Sequence, residues 1–484
     1  MEITETKIKS IVERVVNRMA DQKIADKPVA NPKSSQSSRS SGNLGVYDDL
    51  DSAVSAAKQA FERYENIPLA MRNKIIESIR TTCREEIEHL SKMAVEETKF
   101  GRYEDKVRKN TLAINKTPGT EDLHTAAQSG DTGLTIWERA PYGVIGSITP
   151  CTNPTETIIC NVIGMIAAGN AVVFCPHPAA KKTSVFTVNL LNEAILKAGG
   201  PADLVITLRE PTVPLAQKLM KHDGIALLVV TGGPEVVKLA MTSGKKVVGA
   251  GPGNPPVVVD ETAELQKAGR DIVMGASLDN NIICIDEKEV IAVSSIADKL
   301  KKSMIDNGAY EVKGSYHIKR LEELVLQENK GPRKHGVINK SYVGKDAHVI
   351  LDAIGISADK STRLVLVETD ENHPFIWTEL LMPVMALTRV SDVDYAINLA
   401  KEAEHGFRHT ACMHSHNLAK LSKMARVINT SIFVKNGPAY AGIGFEGEGP
   451  ASFTIASPTG EGPTTARNFT RFRRCVIVDH FRII

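Results

Sequence analysis

The sequence predicts an α/β protein built on a parallel, doubly wound sheet, and three observations predict it. From Tyr142 onward short β-rich runs alternate with helical stretches, the rhythm that strands joined by crossover helices require. The runs, such as VIGSI and IALLVV, read as buried strands, which is the pattern of a sheet covered on both faces. With 484 residues the chain is too long for one core and divides into two or more domains.

Taken in order, the globular sequence begins near Gly45 with a helical region from Leu50 to Asn110, in which Ala53, Ala57, Ala60 and Phe61 recur at helical spacing. VIGSI (144–148) is a strand, TETIICNVIGMIAA (155–168) a helix closed by Gly169, and AVVFC (171–175) the next strand. A helix over about 179–198 precedes DLVITL, a short helix and the strand IALLVV (225–230), followed by TGGPEVVKLAMTSG and KKVVGAG. Beyond a Gly- and Pro-rich crossing, GAGPGNPP, lies a strand at Val257–Val259. Asp260 is then expected to cap a helix carrying Leu265, Ala268, Ile272 and Val273 on one face and ending near Ser277. That helix delivers the chain into SLDNNIICIDEKEV, a loop with a lone cysteine, Cys284.

Composition excludes several classes of function. Against 59 basic residues stand 57 acidic ones, a formal charge of +2, which gives nucleic acid no electrostatic reason to bind. The seven cysteines, at 83, 151, 160, 175, 284, 412 and 475, lack the spacing of zinc sites or disulfide scaffolds, so no metal is implied and a reducing, cytosolic setting fits. Apolar runs such as 225–230 fall far short of the roughly 20 residues a membrane span needs, and no membrane partner is expected.

The first 20 residues stand apart. Ile8, Ile11, Val12, Val15, Val16 and Met19 form one face of an amphipathic helix, joined to the body by a linker (21–44) rich in Ser, Lys and Pro that should be disordered. So short a helix is marginal alone in water and needs a partner surface. That partner is either its own body or subunit neighbour, or something larger for which the helix is a docking tag.

In a doubly wound sheet ligands bind beyond the carboxyl ends of the strands. The loops PCTNPT (150–155), CPHPAA (175–180) and TGGPEV (231–236) should therefore line one pocket. In TGGPEV two glycines between a strand and a helix let a pyrophosphate approach backbone N–H groups, although a tight turn alone would also call for them.

The segments ITPCTNPTETII, PHPAAKK, VTGGPEVV, GAGPGNPPVVVDETA, DNNIICIDEK, TELLMPV, HTACMHS, INTSIFVKNGP and SPTGEG follow one another through the globular chain. In that order they resemble the aldehyde dehydrogenase superfamily, and within it the CoA-acylating aldehyde dehydrogenases of bacterial microcompartments. The resemblance implies a Rossmann-type cofactor domain (45–125 and 142–250), an α/β catalytic domain (251–455) and a small β oligomerisation element (126–141 and 466–484). It also implies that residues 1–20 are an encapsulation helix bound by a shell protein, in an enzyme held inside a microcompartment of the bacterial cytoplasm.

What the resemblance implies for chemistry is equally specific. Cys284 becomes the nucleophile, adding to an aldehyde to give a thiohemiacetal that loses hydride to NAD+ and becomes a thioester. The oxyanion is met by the Cys284 N–H and a side chain of the PCTNPT loop. Thr152 holds the place of the amide used by hydrolytic relatives, and Asn153, one residue on, is preferred because its N–H2 is the better directed donor. The cofactor is expected against Pro150, Cys175, His177, Thr231, Gly232, Gly233, Gly251 and Glu379. Of these Glu379 accepts from the nicotinamide ribose, Cys175 stands where many relatives carry a lysine, leaving NAD against NADP open, and His177 either touches cofactor or shapes the Pro-His-Pro turn. The glutamate that activates water in hydrolytic members is replaced by Gly249, so the acyl group is expected to pass to coenzyme A. A hydrolytic enzyme with another base and a non-catalytic scaffold are the alternatives.

The tail RFRRCVIVDHFRII (471–484) is β-rich and would leave an exposed edge in a monomer, so a homo-oligomer, dimer or tetramer, is expected. Deleting residues 1–20 should leave oligomer size and solution turnover unchanged, because the linker uncouples the helix from the body, while co-sedimentation with a protein shell is lost. A truncated enzyme with lower turnover in a stopped assay would make the helix part of the fold.

Overall fold

A computed structural model describes residues 44–482. The amphipathic helix and nearly all of the linker anticipated at 1–44 lie outside the described residues.

The strands form the parallel sheets that the strand pattern anticipates. A six-stranded parallel sheet takes in β1 (Val46–Tyr47), β4 (Val144–Thr149), β5 (Ala171–Pro176), β6 (Val205–Leu208), β7 (Leu227–Thr231) and β8 (Lys246–Ala250), in the spatial order β1-β6-β5-β4-β7-β8. A seven-stranded parallel sheet follows, from β9 (Pro256–Val259), β10 (Glu289–Val293), β11 (Ala309–Glu311), β12 (Leu364–Thr369), β13 (Val384–Val390), β14 (Thr410–His414) and β15 (Ile432–Lys435), ordered β11-β12-β13-β10-β9-β14-β15. Strands β4, β5 and β9 are buried at every residue, which is why they read as continuous apolar runs. Between the hairpin β2 (Ala126–Gly130) and β3 (Gly133–Pro141) and the tail strand β16 (Thr470–Val478) a third, antiparallel sheet forms. Its tail strand pairs from Thr470 opposite Pro141 to Val478 opposite Gly133.

The helical region before Tyr142 divides into α1 (Leu50–Tyr64), α2 (Leu69–Glu85), α3 (Ile87–Thr98) and α4 (Tyr103–Lys116). Its breaks have local causes. Pro68 stands at the N-cap of α2 in an extended conformation, and α3 ends at Lys99 in the left-handed region (φ 62°), followed by Gly101 at φ 77°. Next, α5 (Pro154–Ala167) is buried at all fourteen residues, since it runs between the first sheet and α2, α4 and α6 (Lys181–Lys197). Such a helix is apolar all round rather than amphipathic.

One expected cap is absent. Helix α9 (Leu265–Ala276) follows α7 (Val213–Lys221) and α8 (Pro234–Met241) in the chain, and its N-cap position is Glu264, which makes no side-chain cap bond. Asp260 instead accepts from Thr262 N (2.9 Å), Thr262 Oγ1 (2.6 Å) and Ser415 Oγ (2.6 Å). A short Asp side chain satisfies the nearest backbone N–H first, and the bond from Ser415 Oγ ties the end of β9 to the segment after β14.

Candidate active site

The loop carrying Cys284 begins in a strained turn. Asp279, Asn280 and Asn281 all occupy the left-handed region, at φ 47°, 58° and 64°, which costs an L-residue about 1–2 kcal/mol each. Asp and Asn are the side chains best able to repay that cost through local hydrogen bonds. Asn280 Nδ2 donates to Gly344 O (3.0 Å) and Asp346 Oδ1 (2.9 Å), and Asn281 Nδ2 to Ala276 O (2.7 Å) and Glu287 O (2.9 Å). The Lys288 ammonium, itself buried, closes the loop by donating to Asn281 O (3.0 Å), Asn281 Oδ1 (2.7 Å) and Ile283 O (3.1 Å).

Asp279 reaches farther. Its Oδ1 accepts from Arg102 N (2.7 Å), an approach only a glycine at 101 allows, since a Cβ there would stand 2.0 Å from that oxygen. Its Oδ2 takes Lys106 Nζ at 2.8 Å and Lys109 Nζ at closer range. Both lysines project from one face of α4, three residues apart, and neither is exposed beyond 1 %. Lys106 Nζ also donates to Thr152 O (2.6 Å), while Lys109 Nζ donates to Asn153 Oδ1 (2.5 Å) and lies 3.2 Å from Glu156 Oε1. Burial pulls the Lys106 ammonium below its usual range against the pull of Asp279. Burial works against Lys109 as well, but there the Asp279 and Glu156 carboxylates hold it above the usual range.

Cys284 is half-buried in the turn between Asn281 and β10. Burial pushes its thiol up to about 12, the neighbouring Glu379 and Asp286 carboxylates add to the rise, and Lys288 opposes it. Gly253, in the crossing between the two large sheets, packs against the carbonyl of this cysteine. A Cβ on Gly253 would meet Cys284 O at 2.7 Å and the ring of His409 at 2.9 Å. From the other side the Gly253 N–H donates to Glu379 Oε1 at 3.3 Å. Burial raises Glu379 to about 7, partly offset by Lys288 and that N–H. His409 is buried, its Nδ1 bonded to Thr410 Oγ1 (2.9 Å) and its Nε2 without a hydrogen-bond partner.

Apart from Glu379, which precedes β13 of the second sheet, the expected cofactor residues lie in or just past the ends of the first sheet's strands. Thr231 ends β7, its hydroxyl 2.9 Å from that of Thr454, and Gly232 and Gly233 lead into α8. A Cβ on Gly233 would meet nothing within 4 Å, and one on Gly232 only Val236 at 3.8 Å. The space over this turn is open at a helix N-terminus, as a dinucleotide phosphate needs. Gly251 packs on Pro458, where a Cβ would approach to 3.1 Å, and Pro150 is partly exposed at the head of the PCTNPT loop. The exposed His177 accepts from Ala179 N through Nδ1 (3.1 Å), the turn-shaping bond. Cys175 is 1 % exposed, so its thiol is packed within the fold and burial pushes it up to about 12.

Cys284, Glu379 and Gly253 are thus adjacent, and Thr152 and Asn153 reach the cysteine loop through the two lysines on Asp279. Sequence reading missed Lys106, Lys109, Lys288, Gly253 and His409. Only IDEKE, four ionisable residues crowded between apolar runs, carried a signal of buried charge.

A sequence model described as the Aldehyde dehydrogenase family matches residues 19–449. The chain is 47% identical over 478 residues to the acetaldehyde dehydrogenase (acetylating) EutE of Salmonella typhimurium, with 99% of each chain covered. A propionaldehyde dehydrogenase of Rhodopseudomonas palustris, solved with bound CoA and an acylated cysteine, is similar at a TM-score of 0.88 and 50% identity, covering 91% of this chain and 99% of that one. The propionaldehyde dehydrogenase from the fucose utilisation bacterial microcompartment of Clostridium phytofermentans gives a TM-score of 0.88 at 48% identity, covering 91% of this chain and 100% of that one.

A pH dependence follows from Glu379. In the folded chain it keeps its proton to about 7 against a usual value of 4.5, so between those values the native state holds a proton the unfolded chain has released. Stability from this group is full below 4.5 and falls as pH rises to 7, by roughly 3 kcal/mol in all. Glu379→Gln should remove that part of the decline in urea-unfolding free energy, measured beside the wild type. Parallel pH profiles would mean Glu379 ionises normally.

Proposed function

The chain belongs to the aldehyde dehydrogenase family, and on that premise we propose that Cys284 carries out a CoA-acylating oxidation in which a short-chain aldehyde becomes an acyl-CoA. The observation that carries this is the pairing of Cys284 with Glu379 across Gly253, together with the lack of a side chain at Gly249. Relatives of this chain are named for acetylating chemistry or were solved with CoA and an acylated cysteine, which favours acyl transfer over the hydrolytic and scaffold readings.

Cys284 Sγ bonds to the aldehyde carbon as its proton leaves to solvent, and the carbonyl electron pair moves to oxygen. The nucleophilic form is the thiolate, which burial disfavours and the Lys288 charge favours. The resulting oxyanion is met by the Cys284 N–H and by Asn153 Nδ2, the end of the carboxamide left over once Oδ1 is taken by Lys109. Thr152 supports the same loop, its hydroxyl accepting from Asn153 Nδ2 at 3.2 Å. Bound NAD+ supplies the acceptor for the hydride that leaves the carbon. Thr231, Gly232 and Gly233 would hold its phosphates, and Glu379 would orient its ribose. The thioester on Cys284 is then opened by the CoA thiol, which returns the cysteine.

Water competes poorly for that thioester because position 249 offers no base. Gly249 lies within β8, its N–H donating to Thr459 Oγ1 at 3.0 Å, and a Cβ there would meet Val237 at 3.1 Å. Its φ is outside the left-handed region, so a side chain is conformationally allowed.

The same reading extends to assembly. The sheet β2-β3-β16 exposes Phe472 (59 %), Val476 (54 %) and Val478 (61 %) among Arg471, Arg473 and Arg474, and such an unpaired edge strand suits pairing in a dimer or tetramer. Residues 1–20 would bind a shell protein and hold the enzyme in a microcompartment, the setting named for the Clostridium phytofermentans relative.

Cys284→Ala should abolish NADH formation from propionaldehyde and NAD+ while the melting temperature stays near wild type, since a single small thiol leaves a small cavity. Retained NADH formation would remove the nucleophile assignment. Gly249→Glu should raise free acid relative to acyl-CoA in a product assay at fixed CoA. An unchanged ratio in the folded variant would mean that a missing base is not what suppresses hydrolysis.

A further inference from the structure

The two buried lysines of α4 touch neither the cysteine nor the open turn at Gly232, so packing and charge alone must account for them, or they act through what they hold. Lys109 holds Asn153. At the N-cap of α5 an Asn side chain ordinarily accepts from the first turn of the helix, but Asn153 makes no such bond. Its Oδ1 accepts instead from Lys109 Nζ at 2.5 Å, and its Nδ2 donates to Thr152 Oγ1 at 3.2 Å. An ammonium has only donors to offer, so the atom facing Lys109 must be oxygen and the amide N–H2 is left on the other side. Without that contact the carboxamide could turn over and present an acceptor to a developing oxyanion, which would repel it.

The ammonium is fixed in its turn. Asp279 and Glu156 flank it, and Lys106 shares Asp279 while gripping the carbonyl of Thr152 at 2.6 Å. Two ammonium groups therefore face two carboxylates inside the protein, and consecutive residues of the PCTNPT loop are held by lysines one helical turn apart. The same Asp279 opens the left-handed turn that leads to Cys284, so one buried carboxylate sets both the loop of the nucleophile and the loop of the donor.

We propose that Lys109 is a positioning residue of the reaction, locking the Asn153 carboxamide with its N–H2 available to the oxyanion and referencing it through Asp279 to the Cys284 loop. The proposal rests on the reading of Asn153 as the oxyanion donor. Lys106, on the backbone of Thr152, secures the loop but not the orientation of the amide.

The test is a cycle of variants read by kcat, by KM for NAD+ and CoA, and by melting temperature. Lys109→Met removes the donor, and Lys109→Met with Glu156→Gln removes it while keeping the buried charges balanced, so failure of the first to fold leaves the second to be read. Asn153→Ala should lower kcat on the order of a hundredfold, the loss of one oxyanion donor. The Lys109 variants should lower kcat by about tenfold to a hundredfold through misplacement of that donor, with both KM values unchanged. Combined with Asn153→Ala they should add no more than about twofold, because both changes act on one interaction. If the Lys109 and Asn153 losses multiply, or if kcat stays at wild type in a folded Lys109 variant, the positioning role is overturned while the oxyanion reading stands. If Asn153→Ala alone keeps wild-type kcat, the oxyanion reading falls and the proposal falls with it.

Discussion

The carboxylate of Asp279 is buried without exposure and is answered by two ammonium groups and one backbone N–H, and the geometry on either side depends on that exchange. Its own residue sits in the left-handed region, a conformation the chain would not keep for three successive residues unless the surroundings over-determined it. Burial favours the neutral acid, yet Lys106 and Lys109 hold this carboxyl below its usual range. Removing one partner of such a pair costs about 3–5 kcal/mol because a charge is left buried and alone. The cluster adds little net stability over an apolar core of the same volume. Its return is registration: α4, the loop after β4 and the turn before Cys284 are pinned to one atom group, Oδ2 of Asp279.

Around the cysteine the electrostatics run the other way. Asp286, Glu287 and Glu289 are all buried, and burial raises each of them, Glu287 to about 8. Glu287 accepts from Ala439 N (2.8 Å), and Glu289 from Asn254 Nδ2 (3.3 Å). Burial thus biases all three toward the neutral acid. Lys288 is the cation among them, and it is bonded to three neutral oxygens of the cysteine loop. Its field is therefore not spent on a carboxylate at hydrogen-bond range, and it lowers both the Cys284 thiol and Glu379. A buried positive charge that favours negative charge at the sulfur counts for more in this low-dielectric setting than at a surface.

Much of the frame was legible in the sequence. Strands β4, β5 and β7 were anticipated to within one or two residues, because fully buried strands bounded by turn residues have an unambiguous apolar signature. Asp260 was misread because an Asp before an apolar helical pattern has two outlets, a helix cap and a turn of its own, and only the contact with Ser415, 155 residues away, selects the second. The lysines of YEDKVRKNTLAIN could not be recognised at all: Lys on a helix is almost always solvated, and the partner that buries Lys109 lies 170 residues on. Cys175 lies near the end of β5, a strand buried at every residue, so its thiol is packed whichever face it takes.

Cys284 had no pattern of its own, and only the ordered motifs singled it out. The structure supplies the physical reason they travel together. Gly253 must lack a side chain so that the crossing strand can lie against the cysteine carbonyl, and once it lies there its N–H reaches Glu379. The Asp-Asn-Asn run must be able to turn left-handed, and Gly101 must admit Asp279 to the backbone of Arg102. Each motif answers a constraint set by another, across separations that no local pattern records.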